Sequence, residues 1–535
     1  MTRSIEEQPD QQPDQVSTTT EKTSEVKEDE THLPTGARLA AIIISILFAM
    51  FLVALDRTII ATAVPRIANQ FNSLNDLSWY ASAYLLTSCA TQLSWGKVYT
   101  FYSTKTVFLI AILIFEVGSA ICGGAPNSKA FIVGRAIAGI GSAGIFSGAT
   151  VIVAQIVPLA KRPIFVGLMG SIFGISSIIG PLMGGAFTDN VTWRWCFYIN
   201  LPIGGFTMVV LFLFLAVPHT PQPCTWKRKI LRLDPLGSMF FLPSVICFLL
   251  ALQWGGTAYP WSNGRIIALF VIAGVLLIVF VGVQIHLKKD ATVPPHIFNQ
   301  RSIISGVVYA LCVGGGQISM LYTLPLWFQA VRGTSAVKSG IDTIPMVLAL
   351  VIGSILSGSI ITATGYYVPW MFVAAILMST GAGLMTTFKV DTNHAGWIGY
   401  QVLFGIGIGT GMQQPSMAAQ TILPMDEVSI GVSLMFFAQS LGGAVFIAVA
   451  QSLFQNYLGA NLPHIQGIDV TKILAAGATG LSDAVPAAKL TQVLTLYNDG
   501  LRQSFIVAVA VSCLMIVPAL TMEWRSIKKK SSATA

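Results

Sequence analysis

Long apolar stretches recur along this chain, about fourteen of them reaching the roughly 18 residues that a helix needs to cross a bilayer. They run from 40–62 near the start to 502–522 near the end, with 79–99, 106–125, 130–155, 164–187 and 342–362 among them. In lipid each backbone amide must be satisfied within the chain, so each stretch is expected to be a helix. The composition leaves no room for a soluble core: 54% of the 535 residues are hydrophobic, 10% are charged, and the mean hydropathy is +0.71. The expected class is an all-α polytopic membrane protein.

The net charge of +8 is informative by position, because Lys and Arg collect on the cytoplasmic side of a membrane. Lys161-Arg162, Lys227-Arg228-Lys229 with Arg232, Lys288-Lys289, and Arg525 with Lys528, Lys529 and Lys530 all fall on one side if the N-terminus is inside. An even number of spans then puts both termini in the cytoplasm. These clusters read as topology signals, not as a nucleic-acid surface. Residues 1–39 are polar and acidic and lack the apolar core of a signal peptide; they are expected to be a disordered cytoplasmic tail, and 523–535 a second cytoplasmic tail.

The seven cysteines are scattered, odd in number and free of Cys-x-x-Cys spacing, and the six histidines are isolated, so neither a disulfide framework nor a metal site is expected. His-Glu-x-x-His, Gly-x-Ser-x-Gly and the phosphate-cradling Gly-x-x-x-x-Gly-Lys-Ser/Thr pattern are absent. An enzyme is the least expected class, and no cofactor is expected beyond an ion gradient.

The chain carries traces of a duplication. Gly96 to Ser103 resembles Gly358 to Gly365, and Gly134-Arg135 with Gly139 and Gly141 lines up with Tyr400-Gln401, Gly405 and Gly407. Two six-helix bundles follow, at 40–217 and 304–522, with 218–303 supplying a linker and two extra helices. Parallel halves of this kind are a transporter architecture, with substrate held between them and access alternating by rocking. The copies also differ: Arg135 faces Gln401, and Gly180-Pro181 has no Gly-Pro counterpart near Gly442-Gly443. Ion chemistry is therefore expected mainly in the first bundle.

Asp56 lies towards the end of the first span, where a carboxylate is costly unless it faces a cavity or a cation. It is read as a proton carrier, the alternative being a static pair with its neighbour Arg57. Arg135, inside the fourth span, is read as its electrostatic modulator or as a clamp between helix ends. Glu116 in the third span is a weaker proton-coupling candidate that would equally serve as a helix-to-helix bond. One charge moved across 100 mV supplies about 2.3 kcal/mol, enough for roughly a fifty-fold gradient of a neutral solute, so one acid suffices. Gln317, Tyr322, Gln413, Gln414 and Gln439 are candidates for a cavity, with Trp327, Phe436 and Trp254 as nearby aromatic surface; interhelical bonding is the competing reading for each.

The fifth span, Phe165 to Ala186, is rich in glycine and carries Gly180-Pro181-Leu182-Met183-Gly184-Gly185. Glycines here allow another helix to approach the backbone, and Pro181 removes one donor. The run is read as a one-sided packing and hinge element that seals the carrier against leak.

Taken together these residues resemble the fourteen-span drug:proton antiporters of the major facilitator superfamily, particularly fungal toxin and multidrug efflux pumps. Leu55 to Pro65 is similar to the first-span signature, carrying the acid over to Asp56; Arg135 with Gly139 and Gly141 to the fourth-span motif; Gly180, Pro181, Gly184 and Gly185 to the antiporter motif. Gly96 to Lys105 resembles the gate-loop motif, but Thr100, Phe101 and Ser103 replace its Asp, Arg and Gly, which weakens the charge relay the family has there. The resemblance implies exchange of protons for an amphipathic drug, toxin or secondary metabolite, by a monomer in the cell membrane. A vacuolar location, uptake of a chelate, amino acid or sugar, and a non-transporting nutrient sensor remain alternatives. Asn190-Val191-Thr192 is a glycosylation sequon, and 453–501 is expected to pack over the outer mouth.

Overall fold

A computed structural model describes residues 34–73, 76–216, 232–256, 258–465 and 485–528, with isolated positions at 468, 473 and 481. Most of the 1–39 tail, the Lys227-Arg228-Lys229 cluster, the middle of the 453–501 segment, and Lys529 and Lys530 lie outside the described residues. Fourteen long helices dominate the described residues, joined by shorter helical segments such as Gln414–Ile422 and Ile516–Thr521: α1 (Gly36–Phe71), α2 (Leu77–Phe101), α3 (Thr104–Gly124), α4 (Ser128–Ile156), α5 (Arg162–Asn190), α6 (Asn200–Phe214), α7 (Pro235–Trp254), α8 (Gly264–Leu287), α9 (Arg301–Ala330), α10 (Ile344–Thr364), α11 (Val368–Met385), α12 (His394–Gly411), α13 (Val428–Asn461) and α14 (Ala487–Leu514).

Among the described residues, twelve helices are long and apolar enough to cross a membrane. The two long helices that fall short are α2 and α12. Their polar residues explain the shortfall, because they bond between helices: on α2, Thr87 Oγ1 donates to the Ala136 carbonyl (2.8 Å) and Gln92 Nε2 to Ser147 Oγ (2.6 Å). Including these two, the number of long helices is compatible with the fourteen expected spans. Residues 453–461 and 487–501, expected within an outer loop, are instead the extended ends of α13 and α14.

Helices α1–α6 form one bundle and α9–α14 a second. The start of α1 and the end of the short helix Ile516–Thr521 lie on the same side, here termed the terminal face: Arg38 Nε donates to the Phe214 carbonyl at the end of α6, and Arg301 Nε at the start of α9 to that of Thr521. Small residues bring helices together where lipid offers no hydrophobic drive. A β-carbon on Gly141 would meet the Phe115 backbone of α3, and one on Gly407 would lie 2.7 Å from the Met378 nitrogen of α11.

The duplication extends to individual hydrogen bonds. The alignment that pairs Arg135 with Gln401 also pairs Asn127 with Asn393, and each asparagine caps its helix, accepting from Ala130 N (2.9 Å) and Gly396 N (2.8 Å). Arg135 Nε donates to the Tyr80 carbonyl (2.9 Å) and Gln401 Nε2 to the Asp342 carbonyl (3.0 Å), again matched positions. What the second bundle lacks is the far end of the arginine.

Of the inserted pair, α7 packs against both α2 and α13, and α8 packs against α7. Gln253 Nε2 donates to Ser82 Oγ (2.7 Å), Trp254 meets Trp79 edge-on at 6.0 Å, and Phe241 lies 5.3 Å from Phe437 of α13. At the other end of α7, Asp234 accepts from Gly237 N, Gln284 Nε2 and both the amide and hydroxyl of Thr292, which locks the hairpin base. The hairpin thus covers one of the two seams between the bundles.

Candidate functional site

Asp56 and Arg135 form a buried ion pair. Arg135 Nη1 donates to Asp56 Oδ2 at 2.5 Å, with the two side chains 1% and 0% exposed. Its Nε is held by the Tyr80 carbonyl, and its guanidinium carbon lies 4.5 Å from the centre of the Tyr84 ring. This geometry overturns the static Asp56–Arg57 pair: Arg57 instead donates to Ser88 Oγ (3.2 Å) and lies over the rings of Tyr84 and Phe146. The second carboxylate oxygen, Asp56 Oδ1, is buried with no hydrogen-bond partner. A buried acceptor left open in this way is costly to keep.

The glycine run of α5 supports this pair directly. A β-carbon on Gly180 would run into Thr58 Oγ1 of α1, and one on Gly184 into Thr62 Oγ1, whereas Gly185 has nothing within 4 Å. Thr58 Oγ1 in turn donates to the Ser176 carbonyl of α5 (3.0 Å). Thr58 stands two residues from Asp56, so the run sets the position of the helix that carries the acid. Helix α5 continues unbroken through Pro181 to Asn190. Asn190 is exposed at its end, its amide nitrogen donating to the Ala186 carbonyl (3.0 Å).

Glu116 stands apart from the pair. It is 5% exposed, both its oxygens lack partners, and it lies under Gly204 of α6, where no larger residue fits.

At the terminal face the two bundles meet along both seams. Gly96 of α2 and Gly358 of α10 are matched positions of the two halves. A β-carbon on Gly96 would lie 2.9 Å from Ser433 of α13, and one on Gly358 would lie 2.5 Å from the Pro163 carbonyl at the start of α5. Thr100 Oγ1 and Ser429 Oγ share a hydrogen bond of 2.7 Å, and Ser147 and Ser433 share one of 2.9 Å. Thus neutral hydroxyls occupy the place where the gate-loop motif would have its acid. Lys105 is not at this seam: its Nζ donates to the Phe212 carbonyl (2.6 Å) in the last turn of α6.

The cavity candidates do not converge. Gln439 Nε2 reaches Gln317 Oε1 at 3.5 Å between α13 and α9, while Gln414 Nε2 bonds the Thr410 carbonyl (2.7 Å). Gln413 lies beside Gly170 on the other seam, and Tyr322 is 49% exposed. Trp327 is core, its Nε1 donating to Asn498 Oδ1 (2.8 Å). Sequence reasoning missed Thr58, Tyr84, Ser429 and Ser433; a lone hydroxyl in a span carries no signal until its partner helix is known.

The sequence profile of the Major Facilitator Superfamily matches residues 46–447. The chain belongs to the major facilitator superfamily. Among its superfamily relatives, the rubrofusarin-specific efflux pump aurT of Gibberella zeae is 55% identical over 500 residues, covering 94% of this chain and 92% of that one. Efflux pump aflT of Aspergillus parasiticus is 52% identical over 510 residues, covering 94% and 99%. The human organic anion transporter MFSD10 shares the fold, with a TM-score of 0.58 at 14% identity over 91% of this chain and 100% of that one. The superfamily assignment makes the chain a membrane transporter and not an enzyme.

Proposed function

We propose that this chain is a secondary efflux transporter that exports an amphipathic drug, toxin or secondary metabolite in exchange for protons. The observation that carries the reading is the Asp56–Arg135 pair with Asp56 Oδ1 left open. The efflux pumps among its relatives support the direction of transport.

In the described conformation the bundles touch at the terminal face, through Gly96, Thr100 and Ser147 on one seam and Gly167, Gly170 and Gly358 on the other. The basic residues Lys161, Arg162, Lys288, Lys289 and Arg525 cluster at helix ends on that face, which supports a cytoplasmic assignment for it and for both termini. The conformation is then closed to the cytoplasm. A proton arriving on Asp56 cancels the charge that holds Arg135 Nη1 and loosens α1 from α4. Arg135 keeps its Tyr80 bond, so the change falls on α1 and, through Thr58 against Gly180, on α5. Proton release towards the cytoplasm re-forms the pair. The plasma membrane is the proposed site, and the protein acts as a monomer with no cofactor beyond the proton gradient.

The test is export from a sensitive host expressing the chain, screened against a panel of toxins and azoles. Accumulation of at least one compound should fall, and a protonophore should abolish the effect. Accumulation that falls equally with the protonophore present contradicts proton coupling.

A further inference from the structure

Arg57 is an intramembrane cation of the first bundle's interior that the Asp56–Arg135 pair leaves uncompensated. Among the described residues it makes no ion pair, its only side-chain hydrogen bond is to Ser88, and its Nε is buried without a partner. At 3.6 residues per turn, Arg57 points about 180° away from Phe48, which faces outward from α1 at 40% exposure. Arg57 therefore turns inward. Its guanidinium carbon lies 5.0 Å from the ring centre of Phe146 on α4 and 5.5 Å from that of Tyr84 on α2. Phe146 stacks on Phe173 of α5 (5.1 Å, 14° between planes) and comes within 6.0 Å of Phe436 on α13. Half-buried Gln439 lies one turn further along the same helix as Phe436. A cation thus stands at the edge of an aromatic layer that crosses from one bundle to the other.

We infer that Arg57 with Phe146, Phe173 and Phe436 forms a substrate site for planar aromatic anions, carboxylates or ionised phenols. An arginine keeps its charge, and away from water its pairing with a carboxylate or phenolate oxygen is both stronger and directional. The phenylalanine rings offer flat apolar surface for the ligand's own rings, and the Gln439 amide offers a handle for a carbonyl or hydroxyl. An aromatic cation placed here would meet the like charge of Arg57, while the charge of Asp56 is already balanced by Arg135. The inference rests on the transport reading for the ligand's place between the bundles, but not on proton coupling.

The test uses the full chain in zwitterionic nanodiscs without a gradient, and three probes with one ring system: 2-naphthoate, 2-naphthylmethanol and 2-naphthylmethylammonium. Calorimetry should find naphthoate bound about ten-fold or more tighter than the other two, as a charge-assisted pair of about 1.4 kcal/mol implies. Arg57→Gln should bring naphthoate down to the alcohol's level while the alcohol's affinity stays put, which also reports an intact fold; Arg57→Lys should fall between. Equal binding of the three, preference for the ammonium, no binding of any of them, or an anion preference that survives Arg57→Gln overturns the inference. Failure of proton coupling would appear only in gradient-driven flux and would leave this result untouched.

Discussion

Thr58 of α1 and Gly180 of α5 are in such close contact that no side chain fits on the glycine. The antiporter run is thereby tied to the acid two residues from Thr58. A Gly180→Ala substitution should force α5 away from α1, costing about 1–3 kcal/mol, the usual range for overpacking. Thermal unfolding in detergent should drop and transport should be lost. Gly185→Ala, which meets nothing, should be silent in both assays. Because the nearest atoms to Gly180 belong to the Thr58 side chain, Gly180→Ala with Thr58→Ala should recover part of the stability.

Asp56 and Arg135 should prove non-additive. Removing one partner leaves a buried charge uncompensated, at about 3–5 kcal/mol, while removing both leaves none. Asp56→Asn with Arg135→Gln should therefore unfold at a higher temperature than Arg135→Gln alone. Arg135→Lys should not substitute: a point charge cannot hold the Asp56 carboxylate and the Tyr80 carbonyl in the arginine's fixed fork.

The hydroxyl contact between Thr100 and Ser429 should act as a latch on the terminal face. Thr100→Val and Ser429→Ala should each raise hydrogen exchange at the start of α13 by a similar factor, corresponding to about 0.5–1.5 kcal/mol, and the double variant should add little. Additive effects would separate the two residues. Neither variant should change the salt dependence of transport, since no charge is involved.

Glu116 should tolerate Glu116→Gln, which keeps its shape beneath Gly204 without the ability to ionise. Gradient-driven flux by that variant should match the parent protein. A loss confined to the gradient-driven component would make Glu116 a second proton carrier.

The helices were legible because crossing a bilayer demands length and apolarity, and those are written in the residues themselves. Even α2 and α12, the least apolar long helices, stood out against their flanks. The Arg135 and Gln401 difference was legible as well, since two copies within one chain expose where they diverge. What could not be read was partnership. Asp56 has a cation beside it in sequence, Arg57, yet bonds one 79 residues away, because consecutive residues on a helix point about 100° apart. Lys105 likewise sits in the gate-loop pattern but caps α6, a contact set by how α3 begins next to the end of that helix. The serines at 429 and 433 had no distinguishing mark until α13 was placed against α2.

The most direct measurement is proton-driven flux of an exported compound in proteoliposomes carrying Asp56→Asn. The parent protein should accelerate the flux when a pH gradient is imposed, and the variant should bind the compound and exchange it at equilibrium but show no acceleration. An Asp56→Asn protein whose flux rises with the gradient as the parent's does would contradict the assignment of Asp56 as the proton carrier.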